Sequence, residues 1–502
     1  MNFFQKPNTK TVFLLPIATA LVLRLVYHLI GIDDFWGDAY HNLFISSATL
    51  ENGWVYTDFK GREVVWLPLF RYLVSLFIWI FQSQDILMGH LINVILGALS
   101  CGMIAKLTAR ASSNYTGLLS GLLLAVLPWH VAYSHMNMPE ILGSFILILA
   151  VDLWTGRHNG WLILIGFLGA LTKNEVTLYL GVLGVLGIYS REWKRILILG
   201  SGVFLGLLLW GFWNHYNTDS FFWWITERSV GSGWDKLFYS SQPTYFGDWY
   251  VPLLSILQVF PLALLVIFLP KNWHKIILRS ENRLLMIVSV LVLFNWLFVI
   301  GMNLNYFPSP DARYFIITLP LACISFGLWM SKSEAFTKHG RKILLGVVFL
   351  NIIQWPGFYY LQYTLYPAVE IGKYLKQSET EDQNYWIDLP AAIYFAGIDR
   401  KNSFSSEMII PKDQRDRKGF KHVIAVRLEE RNIRRLVFQD VPYSYMATIL
   451  PQLKESKSFR WRGITFEPLH QIRYETVQGG MGKQIEQYVV GGRSSSLWSL
   501  SY

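Results

Sequence analysis

Apolar runs of bilayer-crossing length recur through residues 11–363, and that pattern alone removes most soluble folds from consideration. A helix of about 20 apolar residues spans the ~30 Å hydrocarbon core of a membrane. Candidate spans fall at 11–31, 86–107, 116–134, 138–155, 160–172, 175–190, 195–213, 251–269, 284–301, 312–330 and 341–363. The first has no small-residue cleavage site and is followed by many more, so it reads as a span and not as a removed signal. Residues 364–502 carry no such runs. The expected fold is therefore an α-helical polytopic membrane protein of about eleven spans over 1–363, with a small α/β domain over 364–502.

Loop charge then orients the chain. Lysine and arginine concentrate in short cytoplasmic loops. With Lys6 and Lys10 inside, the cytoplasmic loops hold Lys106 and Arg110; Arg157; Arg191, Lys194 and Arg195; Lys271, Lys275, Arg279 and Arg283; and Lys332, Lys338, Arg341 and Lys342. Segments 32–85, 135–137, 173–174, 214–250 and 302–311 face outward, and the C-terminal domain is extracytoplasmic. The expected location is the plasma (inner) membrane of a prokaryote. Residues 65–81 must not cross, because a crossing there would invert every later loop. They are expected to lie in the outer interface with Arg71 at headgroup level, beside a shorter amphipathic helix at 39–52. A charged break at Thr172–Glu175 between two short spans requires burial in protein or a wet cavity.

Composition excludes several classes. The formal net charge is +10, yet much of the excess sits in membrane-flanking loops, which argues against nucleic acid. Cys101 and Cys323 lie inside apolar spans and build no disulfide framework. There is no P-loop, no GxGxxG after a strand, no nucleophile elbow, and neither HExxH nor CxxC; His130 and His135 have no zinc-site spacing.

The acids and bases that remain gather on the outward side. Asp38 opens the helix at 39–52, where it reads equally as a plain cap or as a reactive carboxylate. For Asp33 and Asp34 capping suffices. Glu140 follows Pro139 at the start of a span, which is ordinary capping chemistry taken alone. The topology sets Asp38 and Glu140 at one depth on one face, where they suit a general base and a second acid that orients an acceptor or holds a divalent cation. Lys173 and Arg313 suit a phosphate in the headgroup plane, as a point charge and a bidentate fork; snorkelling to the interface reads equally well for Arg313 and less well for Lys173, which sits in the break. Tyr314, with Tyr306 and the aromatics of 221–224 and 245–250, belongs to an interfacial belt or to a sugar site. Arg24 is costly inside the first span and is expected to neutralise an acid near Asp38.

In order and spacing these motifs resemble the C-type superfamily of polytopic glycosyltransferases, above all the family 39 branch of protein O-mannosyltransferases and lipid A aminoarabinose transferases. The resemblance covers roughly 11–330. It rests on Asp38 in GDAYHNLFISSATLENG, the W-x-P-L of Trp66–Leu69, and Glu140 after PWHVAYSHMNMP. It continues through Leu171-Thr172-Lys173 and Arg313-Tyr314 ahead of Leu319-Pro320. It implies a polyprenyl- or dolichyl-phosphate donor carrying one sugar, an outer-face site below two interfacial helices, and inversion at the anomeric carbon. Asp38 would be the base, Lys173, Arg313 and Tyr314 would hold the phosphate, and Glu140 would orient the acceptor or sugar. The chain departs from the aminoarabinose branch in having Trp66-Leu67 where that branch has a lysine before the proline, with Arg71 the substitute to consider. It departs from the mannosyl branch in having Ala39 after Asp38. The acceptor, whether glycolipid, polysaccharide or protein, stays open, and no cofactor beyond a possible divalent cation is implied.

A transporter or lipid flippase is the alternative, since broken helices and buried charges mark those too. Against it stand a single broken pair, no internal repeat and a large outer domain. An envelope scaffold without catalysis would leave the outward charges unexplained. In the tail, strands are expected at Tyr385–Leu389, Val423–Arg427, Arg435–Phe438 and Gly463–Phe466, and a helix at Tyr443–Leu453. The cluster Lys412–Lys421 reads as a solvated loop, and Gly491–Ser496 as a flexible terminus.

Overall fold

The computed structural model describes residues 8–32, 34–58, 61–156, 159–223, 256–257, 259–260, 283–304, 313–332, 346, 349, 354, 365–378, 383–409, 420–439, 446, 449–455, 457–473 and 494–502. The expected spans at 251–269 and 341–363 lie almost wholly outside these residues. So do Asp33, Tyr306, the aromatics of 245–250 and most of Lys412–Lys421.

Helices dominate the first three hundred residues: α1 Thr9–Ile30, α2 Gly37–Glu51, α3 Leu69–Phe81, α4 Leu87–Ala111 and α5 Asn114–Val126. They continue as α6 Pro128–Tyr133, α7 Glu140–Thr155, α8 Leu162–Ala170, α9 Asn174–Tyr189 and α10 Trp193–Thr218. After these come α11 Arg283–Leu304, α12 Arg313–Ile316 and α13 Leu319–Met330. Among the described residues four stretches are long and apolar enough to cross a membrane: Thr9–Ile30, Leu87–Ala111, Trp193–Thr218 and Arg283–Gly301. The others are shorter. The segment expected as one span at 116–134 divides at Leu127, because Pro128 has no amide to continue the ladder of α5.

Residues 65–81 give a helix of 13 residues, α3. At 1.5 Å per residue it reaches about 20 Å, short of the ~30 Å core. Its apolar side is open at Trp79, Ile80 and Phe81, whereas Arg71 is buried. Arg71 therefore points into the protein and away from the headgroup level expected of it. Between α2 and α3 the chain makes a two-stranded hairpin of β1 Thr57–Asp58 and β2 Gly61–Arg62.

α8 and α10 come very close together. A Cβ on Gly202 would stand 2.0 Å from the Ile163 carbonyl oxygen, the kind of approach that small residues permit between apolar helices.

The described residues of the tail form one six-stranded sheet in the order β4-β3-β5-β8-β7-β6. Its members are β3 Asn384–Ile387, β4 Ser403–Phe404, β5 Ile433–Gln439, β6 Phe459–Trp461, β7 Ile464–Arg473 and β8 Ser494–Ser501. β3 is parallel to β4 and β5, and the remaining pairs are antiparallel. Three of the four expected strands are present. The fourth, Val423–Arg427, lies within a helix, Phe420–Glu430: Ile424 and Leu428 are both fully buried, one turn apart, so helical spacing overrides the β preference of its valines. The serines read as a flexible terminus, Ser494–Ser496, instead begin β8, which pairs with both β5 and β7. Both faces of that strand are covered, Trp498 and Leu500 in one apolar cluster and Leu497 in another, as its place in the middle of the sheet requires.

The sheet domain rests on α2. The Tyr40 ring lies 5.2 Å from Tyr394 and 5.8 Å from Phe395, both on the helix Pro390–Ala396.

Candidate active site

Neither Asp38 nor Glu140 acts as a cap. Trp36 is the N-cap of α2 and Pro139 that of α7, and neither makes a side-chain cap bond. Asp38, in the first turn of α2, instead accepts from Arg313 Nη1 at 2.8 Å, across 275 positions of chain. Glu140, 1% exposed, accepts from Lys173 Nζ at 2.8 Å.

Lys173 sits in the expected break, as the N-cap of α9 in extended conformation. Burial opposes its charge, but Glu140 and Glu175 outweigh that and hold the ammonium above the ordinary lysine range. It is therefore a cation at neutral pH. The Tyr314 ring centre lies 5.2 Å from Lys173 Nζ and 5.2 Å from the Arg313 guanidinium carbon, so one aromatic ring serves both cations.

Arg71, Glu140, Lys173, Glu175, Arg313 and Tyr314 line a single cleft of about 90 Å³. Five of the six residues singled out in the sequence thus share one cavity, and the sixth, Asp38, is ion-paired to its wall. The volume is small beside the ~300–1,000 Å³ of ordinary ligand sites, which suits a charged headgroup more than a whole sugar. Arg71 also has a second task. Its Nε and Nη2 donate to Asn42 Oδ1 at 2.8 and 2.6 Å, and Nη1 donates to the Leu67 carbonyl at 2.9 Å. It ties α3 to α2.

What holds the cleft together is a set of buried amides that sequence reasoning passed over. Asn42 Nδ2 donates to the Asn137 carbonyl at 2.8 Å, and Asn137 Nδ2 returns a bond to the Ala39 carbonyl at 2.8 Å. Asn93, from α4, donates to the carbonyls of Met136 and Met138 at 2.6 and 2.7 Å. Asp34 accepts from the Asn137 amide at 3.3 Å and contacts His90 Nε2 at 3.1 Å. The loop 134–139, which delivers Glu140, is clamped from α2 and α4 at once. Gly89 permits this, since a Cβ there would meet Asn137 Oδ1 at 1.8 Å. From the other side, the Leu69 amide donates to the Leu171 carbonyl at 3.0 Å, joining α3 to the break. The legible signal was Asn93 within the apolar run LINVIL, since a buried amide in such a helix needs partners.

Arg24 does not neutralise an acid. It contacts His130 Nδ1 at 2.8 Å and donates to Ser134 Oγ at 3.0 Å and to the Ala20 carbonyl at 2.9 Å, supporting the base of the same loop.

Asp38 and Glu140 each already hold a cationic side chain. The described residues that converge closely enough for a metal ion lie elsewhere in the outer loop: His41, Asp58 and Glu63, with ligand atoms within 4.8 Å of one another. Burial, and then Asp58, push the Glu63 carboxyl above the usual range.

The fold has known counterparts. ArnT from Cupriavidus metallidurans bound to undecaprenyl phosphate superposes with a TM-score of 0.61 at 13% identity, over 89% of this chain and 95% of that one. Its apo form gives 0.58 at 12% identity, over 87% and 95%. The apo Archaeoglobus fulgidus oligosaccharyltransferase is a looser likeness, 0.49 at 11% identity, over 88% and 70%. No protein-family model and no curated protein sequence matches the chain. The chain therefore shares the fold of ArnT.

Proposed function

We propose that this chain is an integral-membrane glycosyltransferase that moves one sugar from a polyprenyl-phosphate donor to an acceptor hydroxyl on the outer face. The observation that carries the reading is convergence. Side chains from α2, α3, α7, the break before α9 and α12 meet around one small charged cleft, where Arg71, Lys173 and Arg313 stand with the carboxylates of Glu140 and Glu175 and Asp38 pairs with Arg313. The ArnT structure bound to undecaprenyl phosphate supports a lipid phosphate as the anion.

In this mechanism Lys173 and Arg313 receive the donor phosphate, with Tyr314 packed between them. Asp38 takes the acceptor proton as the acceptor oxygen attacks the anomeric carbon from the face opposite the phosphate. The sugar–phosphate bond breaks with its electron pair leaving on the phosphate, which gains a negative charge. Configuration inverts. A phosphate that competes for Arg313 releases the Asp38 oxygen that the guanidinium holds, coupling donor arrival to the readiness of the base. Glu140 orients the acceptor or sugar and keeps Lys173 in place, and Arg71 positions the wall.

The working topology has eleven spans, the N-terminus in the cytoplasm, α2 and α3 in the outer interface, and a boundary at 363/364 before the extracytoplasmic domain. The plasma (inner) membrane of a prokaryote is the proposed location. Cysteines introduced at 83–85 should then react with impermeant reagents from outside, and cysteines at 108–112 should not. Labelling of 83–85 from the cytoplasm alone would overturn this orientation.

The function itself is tested by offering the purified full-length protein polyprenyl-phosphate sugars and following loss of the lipid-linked sugar. Release of polyprenyl phosphate with transfer of the sugar is the expected result. Movement of intact lipid-linked sugar across a vesicle without cleavage would favour the flippase reading instead.

A further inference from the structure

The outer loop between α2 and α3 contains a second cluster that the transfer reaction does not use. His41 lies one turn after Asp38 on α2, Asp58 lies on β1, and Glu63 directly follows β2. Asp58 and Glu63 are each 5% exposed. Their carboxylates and the His41 ring offer three ligand atoms within 4.8 Å of one another. Two carboxylates so close and so buried repel each other unless a positive charge sits with them or one takes up a proton; His41 Nε2 lies 3.8 Å from Asp58 Oδ2, and the three groups converge on one point that a cation would fill.

The carboxylate of Glu63 is also held in place. Its Oε1 accepts from the amides of Val65 and Trp66 at 2.5 and 2.9 Å, and its backbone carbonyl accepts from Trp213 Nε1 at 2.8 Å. Such supporting bonds fix the direction in which a ligand oxygen points. The His41 ring packs on Trp66 at 5.8 Å, and its side chain keeps 17% exposure, which leaves a path for an ion from solvent.

The geometry points to a divalent cation bound by His41, Asp58 and Glu63 that braces the outer loop against the cleft. One imidazole and two carboxylates suit Zn²⁺ or Mn²⁺, with water completing the coordination. The site differs from the Asp38 and Glu140 pair, which hold Arg313 and Lys173. Its consequence for the cleft is mechanical. It would join α2 one turn beyond Asp38 to the stretch running through Trp66 to Arg71, and so set the distance between base and wall.

The experiment uses the full-length protein purified in chelator, dialysed, and given Zn²⁺, Mn²⁺ or Mg²⁺ alone. Elemental analysis and thermal unfolding are the readouts. One retained equivalent of Zn²⁺ or Mn²⁺, with an unfolding midpoint raised by several degrees and lowered again by EDTA, is expected. His41→Ala and Glu63→Gln should each remove both effects. No retained ion in the wild-type protein overturns the proposal, as does unchanged retention in the double variant His41→Ala, Glu63→Gln. If Lys60, in the sequence between the two strands, supplies the charge instead, the wild type will hold no ion and Lys60→Ala will unfold earlier. The wild-type measurement decides the matter even if a variant fails to fold, and it stands whether or not sugar transfer is observed.

Discussion

Asp38→Asn is expected to leave the fold intact and donor binding no weaker while lowering turnover of lipid-linked sugar at least ~100-fold, since a positioned base contributes about 10²–10⁴. The substitution is a clean one. Asparagine keeps an oxygen that can accept from Arg313, so the contact joining α2 to α12 survives, whereas the amide cannot take a proton. The Asp38 side chain is 35% exposed, so changing its charge strands nothing buried. Turnover by the full-length variant, measured beside donor binding and unfolding temperature, checks this. Near-normal turnover in a folded protein would leave Asp38 as a structural partner of Arg313 and no more.

The second large effect is expected at the cations. A phosphate leaving a sugar gains charge in the transition state, so groups that meet it should matter more for rate than for binding. Removing one such donor costs on the order of 10²–10³ in turnover. Lys173→Gln and Arg313→Gln should each show a loss of that order, and Arg313→Lys should recover only part, because an ammonium cannot reproduce the planar fork. Lys173 needs a control. Its partner Glu140 has a side chain only 2% exposed, and stranding a buried charge costs roughly 3–5 kcal/mol, so Lys173→Gln alone lowers stability for a reason unrelated to catalysis. The double variant Lys173→Gln, Glu140→Gln removes that cost. If stability returns and turnover does not, the cation acts on the reaction. If both Gln variants turn over normally and only expression falls, they are anchors, and the phosphate site must be sought elsewhere.

Much of this site was legible because charges are rare in apolar sequence. Arg71, Glu140, Lys173 and Arg313 stand out against their surroundings, and loop charge put the last three on one side. Their pairing was not legible: nothing in the spacing says that Arg313 reaches Asp38 or that Lys173 reaches Glu140. The clamp on loop 134–139 escaped for a different reason. Asn42, Asn93 and Asn137 are neutral, lie in unrelated segments, and bond to backbone carbonyls, which carry no side-chain signature. The cluster of His41, Asp58 and Glu63 was missed because it forms across a hairpin whose strands have two residues each, too short for any periodicity. In the tail, the valines of Val423–Arg427 suggested a strand where spacing with Leu428 decides for a helix, and a run of serines concealed an interior strand.

The ion pair between Asp38 and Arg313 also bears on biosynthesis. During synthesis Asp38 is made first, and the partner arginine follows 275 positions later. Glu140 meets its lysine much sooner, after 33. The two halves of the cleft are therefore completed at very different times during synthesis. A truncated or stalled product that stops before α12 has the carboxylate at residue 38 without the guanidinium that holds it. Such a product holds only half of the cleft, so any activity that needs both ion pairs waits on nearly all of the helical part being in place.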